Sequence, residues 1–335
     1  MRSSLPLMLG LCALASACTV PAEPGSNPAR DVGKSEIVYS EGFVELTTLA
    51  DDGDLRACQV LAERKLSGEP ATRDLAGAER YLRRAAEGGL ATAQFALAAL
   101  LASGEFKVHE PREAEHWYRS AAEQGHPGAA VALALELARR NEAESDREAR
   151  VWLQRGAEAG EPRAQSALAA FLVRGRGGER DPVAGAEFAR RAAVQGDAQA
   201  QALLGQLHLR GEGVVADADE AARWLRPAAE AGLAVAQLNY GQLYLQGAGV
   251  VEDPAAGAQW IARAAAQGLG PAQAKLAQLH EHGRGVVRDR AQAYVWYRRA
   301  AAHGEASGRE GAERLERELT DEERASAQRE LSARP

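Results

Sequence analysis

Gly196 to Gly232 reads GDAQAQALLGQLHLRGEGVVADADEAARWLRPAAEAG, and it holds two helices with their start and stop signals. Ala200, Leu204, Leu207 and His208 form one stripe at helical spacing. Gly211-x-Gly213-Val214-Val215 breaks that helix, because glycine accepts the left-handed conformation of a helix C-terminus. Asp217 then stands as an N-cap, with Glu220 placed to complete a capping box. Ala221, Trp224, Leu225, Ala228 and Ala229 follow as the stripe of a second amphipathic helix, which Gly232 closes.

Outward from this unit the pattern repeats. Glycines recur at Gly53, Gly89, Gly125, Gly160, Gly196, Gly232, Gly268 and Gly304. A fixed period of this length marks an array of stacked supersecondary units. Four residues after each of the first seven glycines stands Ala57, Ala93, Ala129, Ala164, Ala200, Ala236 or Ala272. Later in each unit stands one large aromatic: Tyr81, Trp117, Trp152, Phe188, Trp224, Trp260 or Trp296. All five tryptophans thus share one register position, which argues for packing and predicts that Trp224, Trp260 and Trp296 are largely buried between stacked pairs. Asp181-Pro182 and Asp253-Pro254 supply N-caps with proline in the first helical turn.

The run from Ala236 to Asp253, AQLNYGQLYLQGAGVVED, together with the later Trp and Ala-Ala positions, resembles the Sel1-like repeat family, a relative of the tetratricopeptide repeats. The resemblance covers residues 53–304. It implies an all-α fold, a right-handed α-solenoid of about seven helix-turn-helix repeats with a 36-residue period and helical caps. It also implies a scaffold whose first helices line a concave surface that binds partners. The first three units lack the Gly-x-Gly-Val loop, carrying Ser67-Gly68-Glu69-Pro70, Ser103-Gly104-Glu105-Phe106 and Arg139-Arg140-Asn141-Glu142 instead; the third is also one residue short. Pro227 stands where other units carry arginine and predicts a kink near Arg223 to Pro227 that bends the groove beside Gln206 and Gln242.

The ends read differently. Residues 1–17 have Arg2, a short apolar run from Leu5 to Leu14 and Ala15-Ser16-Ala17, the features of a cleaved export signal. The apolar run is too short to span a bilayer. Cys18 follows the small residues directly, a placement that resembles the lipobox of bacterial lipoproteins, in which this cysteine is acylated and anchors the protein. Thr19, not aspartate, follows it, which by the sorting habit of such proteins implies the outer membrane, facing the periplasm. Ordinary cleavage would leave a soluble periplasmic protein. Residues 18–36, rich in Pro, Gly and Ser, read as the lipidated N-terminus and a flexible tether. Residues 37–52 read as an N-terminal capping helix and 305–335 as C-terminal capping helices with polar outer faces.

Composition excludes several classes. Aromatics are scarce at 5% and the net charge of −7 is dispersed, so there is no basic block for nucleic acid. With Cys12 and Cys18 in the leader, Cys58 is the one thiol of the repeat region, expected to be a small buried hydrophobe. The Gly-x-Gly pairs follow helices rather than strands, against a nucleotide loop. His280 and His282 point to different sides of a helix. His208, Tyr244 and His280 share one core-edge register. His109, His116, His126 and His303 have no ligand-spaced partner, so neither a metal nor a cofactor is expected. No nucleophile has an oriented base, so no catalytic residue is assigned.

Function is left to the surface of the first helices, whose outward stripe is expected 6, 10 and 13 residues after each glycine. Gln206, Gln242 and Gln278 form a ladder at position 10, with Arg174, Arg210 and Gln246 nearby at position 14. These six are the candidate partner-binding residues. The expected function is a non-enzymatic scaffold for an envelope protein; the alternative is a polysaccharide- or peptidoglycan-binding assembly factor, which would need stacking aromatics on that stripe.

Overall fold

The structure, a computed structural model, describes residues 43–67, 73–104 and 111–333. The leader, Cys18, the tether, the start of the N-terminal cap and the loops after Ser67 and Gly104 lie outside the described residues. Among the described residues there are helices and no strands, and the fold is an all-α solenoid. Up to Ala159 the helices are α1 (Phe43–Asp51), α2 (Leu55–Leu66), α3 (Leu75–Glu87), α4 (Ala91–Ser103), α5 (Pro111–Glu123), α6 (Pro127–Arg139) and α7 (Ala143–Glu158). From Gly160 on they are α8 (Pro162–Arg174), α9 (Pro182–Val194), α10 (Ala198–Arg210), α11 (Ala218–Glu230), α12 (Ala234–Gln246), α13 (Pro254–Ala266), α14 (Gly270–His282), α15 (Arg290–Ala302), α16 (Ala306–Glu318) and α17 (Asp321–Ala333). These two groups form two compact units. Even-numbered helices are the first of each pair and odd-numbered helices the second.

The caps explain the boundaries. Asp181, Asp217, Asp253 and Asp289 each accept backbone N–H groups at the start of a second helix, with N–O distances of 2.9–3.0 Å. Each satisfies donors that a helix start leaves open. Gly175, Gly211, Gly247 and Gly283 end the first helices in the left-handed conformation. Glu220 departs from the expected capping box. Its backbone bonds to Asp217, but its side chain accepts from Trp224 Nε1 at 3.1 Å and Arg223 Nη1 at 3.2 Å. An indole N–H half-buried one turn away competes successfully for the carboxylate.

In the third pair the missing loop is replaced rather than distorted. Asn141 takes φ +54°, a conformation asparagine tolerates better than other side chains, and the second helix begins early. That helix, α7, runs 16 residues where its neighbours run 13.

Between pairs the chain packs through small residues. Ala221, Leu225, Ala228 and Ala229 of α11 form a core with Ala236, Tyr240 and Leu243 of α12. Ile261, Ala264 and Ala265 of α13 do the same with Ala272, Leu276 and Leu279 of α14. Alanines at the contact let backbones approach, so each pair buries its stripe on the next. At Gly241 and Gly257 the helices cross so closely that a β-carbon on either would fall 2.7–2.8 Å from the other's carbonyl oxygen.

The tryptophans fill gaps between pairs. Trp152 is buried, and Trp224, Trp260 and Trp296 are largely buried, packed against the cores between pairs with one part at the surface. The facing alanines leave one ring face at the surface, and an arginine covers it. Arg155, Arg263 and Arg299, each one turn on, lie 4.4–4.7 Å above the rings of Trp152, Trp260 and Trp296. Cation and ring face attract, and the guanidinium keeps its contact with water. Pro227 takes the equivalent place in the fifth pair, and there Arg223 reaches over Trp224 at the longer distance of 5.9 Å. Pro227 does not interrupt α11, which runs continuously from Ala218 to Glu230.

Cys58 is fully buried with Sγ 3.7 Å from Ala50 O. Burial pushes its thiol pKa up, so it is packed and unreactive.

Candidate functional site: the first-helix face

In the unit from Gly160 on, first helices meet first helices: α8 lies against α10, α10 against α12 and α14 against α16. Their shared outward stripe is a repeated surface that packing leaves open there.

The stripe is offset from the expected one. Position 6 is closed, with Ala202, Leu238 and Ala274 buried, because that side meets the next first helix. Position 13 is mixed, with Leu245 buried and Leu209 exposed. The open positions are 3, 7, 10 and 14. Gln206, Gln242 and Gln278 at position 10 are half-buried, and Arg174, Arg210 and Gln246 at position 14 are exposed. The six candidates therefore share one face. The side chains of Gln206, Gln242, Arg174 and Arg210 make no hydrogen bond to another described residue, whereas Gln278 accepts weakly from Lys275 Nζ at 3.4 Å.

The first helices α8, α10, α12 and α14 are poor in acid. The helices α8, α10 and α12 contain no Asp or Glu at all. In α14 Glu281 is the one acid, and it is bound away by Tyr297 and Arg314. Arg163 joins Arg174 and Arg210 as exposed cations without an ion pair among the described residues. Several other arginines are paired, as Arg119 with Glu148 and Arg226 with Glu230, while Arg56 and Arg190 are exposed and likewise without an ion pair among the described residues.

A second set of glutamines escaped the sequence reading. Gln94, Gln237 and Gln273 are buried, and Gln201 partly so. Each donates from Nε2 to the carbonyl of Ala86, Ala229, Ala265 or Ala193 in the preceding second helix, at 3.0–3.2 Å. In three of the four, Oε1 meets the end of the second helix of the same pair: Gln124 reaches Gln94 at 2.7 Å, and Gln267 reaches Gln237 at 2.8 Å. His303 Nδ1 lies 2.9 Å from Gln273 Oε1. The signal was present, since these glutamines stand five residues after the register glycines, but polarity in a run of alanines reads as surface.

His208 is 6% exposed, and its Nδ1 lies 3.2 Å from Val215 O, holding the loop. Its Nε2 has no partner among the described residues. The second glycine of each Gly-x-Gly loop faces backbone carbonyls of the preceding second helix, Pro182 O, Ala218 O and Pro254 O. A row of acceptors in that place repels phosphate. Among the described residues no cluster of His, Cys, Asp or Glu has the makings of a metal site, and no helix is long and apolar enough to cross a membrane.

Fold and face together define a solenoid of helix pairs with a repeated, open, acid-poor surface. The family model described as Sel1 repeat matches residues 55–90, 91–126, 133–161, 162–197, 198–233, 234–269 and 270–305. The chain belongs to the Sel1 repeat family, whose repeats usually mediate protein–protein binding and whose members are generally non-catalytic scaffolds. The third match is the short one, at the pair with the shortened loop. Among solved structures, a Sel1 repeat protein from Oxalobacter formigenes is 27% identical, covering 90% of this chain and 99% of its own, with a TM-score of 0.49. A protective antigen displaying an SLR fold, from uropathogenic Escherichia coli, is 26% identical, covering 96% of this chain and 82% of its own, with a TM-score of 0.38. No curated protein matches the chain.

Proposed function

We propose that this chain is a non-enzymatic interaction scaffold of the bacterial envelope. It is exported, acylated at Cys18 and held at the outer membrane facing the periplasm, where it grips an envelope protein along its first-helix face. The observation that carries the binding reading is the face itself. Gln206, Gln242 and Gln278 repeat there in register, half-buried and placed to hydrogen-bond a partner, beside arginines without ion pairs. Half-buried amides on rigid helices lose little side-chain freedom on binding. The export reading rests on the leader and on Cys18 directly after Ala15-Ser16-Ala17. The open positions of α8, α10, α12 and α14 hold no Trp, Tyr or Phe, so the sugar-stacking that a glycan binder needs has no support there.

Two measurements test the two halves. Mass spectrometry of the mature N-terminus should find a diacylglyceryl group on Cys18; an unmodified cysteine on a soluble periplasmic protein refutes the anchor. A photo-crosslinking residue at Gln206 or Gln242 should trap protein adducts in living cells, and one at Arg226 on α11 should not. Equal trapping from both sides refutes the face.

A further inference from the structure

From the acid-free open face of these first helices we infer that the partner presents an extended acidic segment, which lies across α8, α10 and α12 with its carboxylates on Arg174 and Arg210. This rests on the first-helix face being the binding surface. The chain as a whole is acidic, yet three successive first helices, α8, α10 and α12, carry no carboxylate. Arg174 and Arg210 are exposed and unpaired among the described residues, although α11 carries Asp219, Glu220 and Glu230. An acid-free surface with free guanidinium groups attracts carboxylates and repels cationic segments.

The spacing favours an extended peptide. Packed helices lie about 8–10 Å apart. A polyproline II chain rises about 9.3 Å per three-residue turn, so one partner residue in three meets each successive first helix. Gln206 and Gln242 then stand one helix apart, with free amide donors and acceptors for a backbone that has no hydrogen bonds of its own. A single-stranded nucleic acid would need stacking rings as well as cations, and the open positions of α8, α10 and α12 have no aromatic ring.

The test is selection of a displayed random 12-residue peptide library on the full mature chain. Selected peptides should be rich in Asp and Glu, and their binding should weaken as salt rises. Arg174→Glu with Arg210→Glu should weaken them about tenfold or more, and Arg174→Gln with Arg210→Gln less, with unchanged thermal melting in both. Selected peptides that lack an acidic excess but are lost on Gln206→Ala with Gln242→Ala overturn the acidic partner while leaving the face standing. Recovery of no peptide, or of peptides indifferent to all these changes, overturns both. Tighter binding of polygalacturonate or oligo-dT than of any selected peptide replaces the peptide with a glycan or a nucleic acid and overturns the inference.

Discussion

Gly249 packs on the backbone of Ala218: a β-carbon at Gly249 would lie 2.0 Å from Ala218 O. The loop of one pair thus rests on the first turn of the second helix before it, and the same contact recurs between Gly213 and Pro182 and between Gly285 and Pro254. Gly247, two residues earlier, also has positive φ, but a β-carbon there would meet only the Glu252 side chain closely, at 3.1 Å. Gly247→Ala should therefore cost only the left-handed conformation, about 1–2 kcal/mol. Gly249→Ala adds displacement of backbone and should cost clearly more. Urea denaturation of the two variants decides this; equal costs refute the contact.

The buried glutamines join pairs as pegs. Gln237→Ala removes two hydrogen bonds, to Ala229 O and from Gln267 Nε2, which keep their bonds with Gly232 N and Gly232 O; at about 0.5–1.5 kcal/mol per bond the loss should be about 1–3 kcal/mol. Gln201 bonds Ala193 O, but Ala231 stands where Gln267 would reach back to it. Gln201→Ala should thus be the milder change. Chemical denaturation of both variants checks the order.

The period, the caps and the Gly-x-Gly loops were legible because each depends on residue types whose backbone or capping chemistry is local. Asp217, Gly211 and Ala228 announce their roles within a few residues of sequence. What stayed hidden depends on the neighbouring pair. Trp260 has the right register for a core, but whether its ring is covered by alanine or by Arg263 is set by helix spacing. Position 6 reads as outward on a single helix and is closed only because the next first helix lies against it, as at Leu238. Position 14 was singled out through Arg174 and Arg210, whereas their lack of acidic neighbours emerges only when the helices are set side by side.

Glu281 locks the last repeat to the C-terminal helices. Tyr297 Oη donates to it at 3.0 Å and Arg314 Nη1 lies 2.7 Å away. Burial pushes the carboxyl pKa up, but the bonds from Arg314 and Tyr297 outweigh it and hold the value below the ordinary 4.5. A depressed carboxylate pKa stabilises the fold above the unfolded value and stops doing so as pH falls through the folded one. Glu281→Gln should cost about 1–2 kcal/mol at neutral pH. That deficit should shrink only below about pH 4.5. Thermal melts of both proteins across pH test it; a deficit that is constant in pH removes the charge from the account.

Pro227 is where the second-helix pattern breaks, and arginine there should stabilise the protein. Proline removes the N–H that would bond Arg223 O and brings its ring against that carbonyl, a cost on the order of 3 kcal/mol in a helix interior. The setting softens the penalty, since only the last turn of α11 follows and Ala231 N still bonds Pro227 O at 2.9 Å. Arginine would restore the lost donor and supply the cation that Arg263 and Arg299 supply to Trp260 and Trp296 at 4.4 and 4.7 Å. It would also release Arg223, now 5.9 Å from the Trp224 ring. The expected gain for Pro227→Arg is about 1–3 kcal/mol. Pro227→Ala separates the two contributions, because it restores the N–H without the cation, and the difference between the variants should be about 0.5–1 kcal/mol at this partly exposed ring. Denaturation midpoints of the three proteins measure both steps. No gain from either variant would mean that α11 has already adjusted its backbone to the proline.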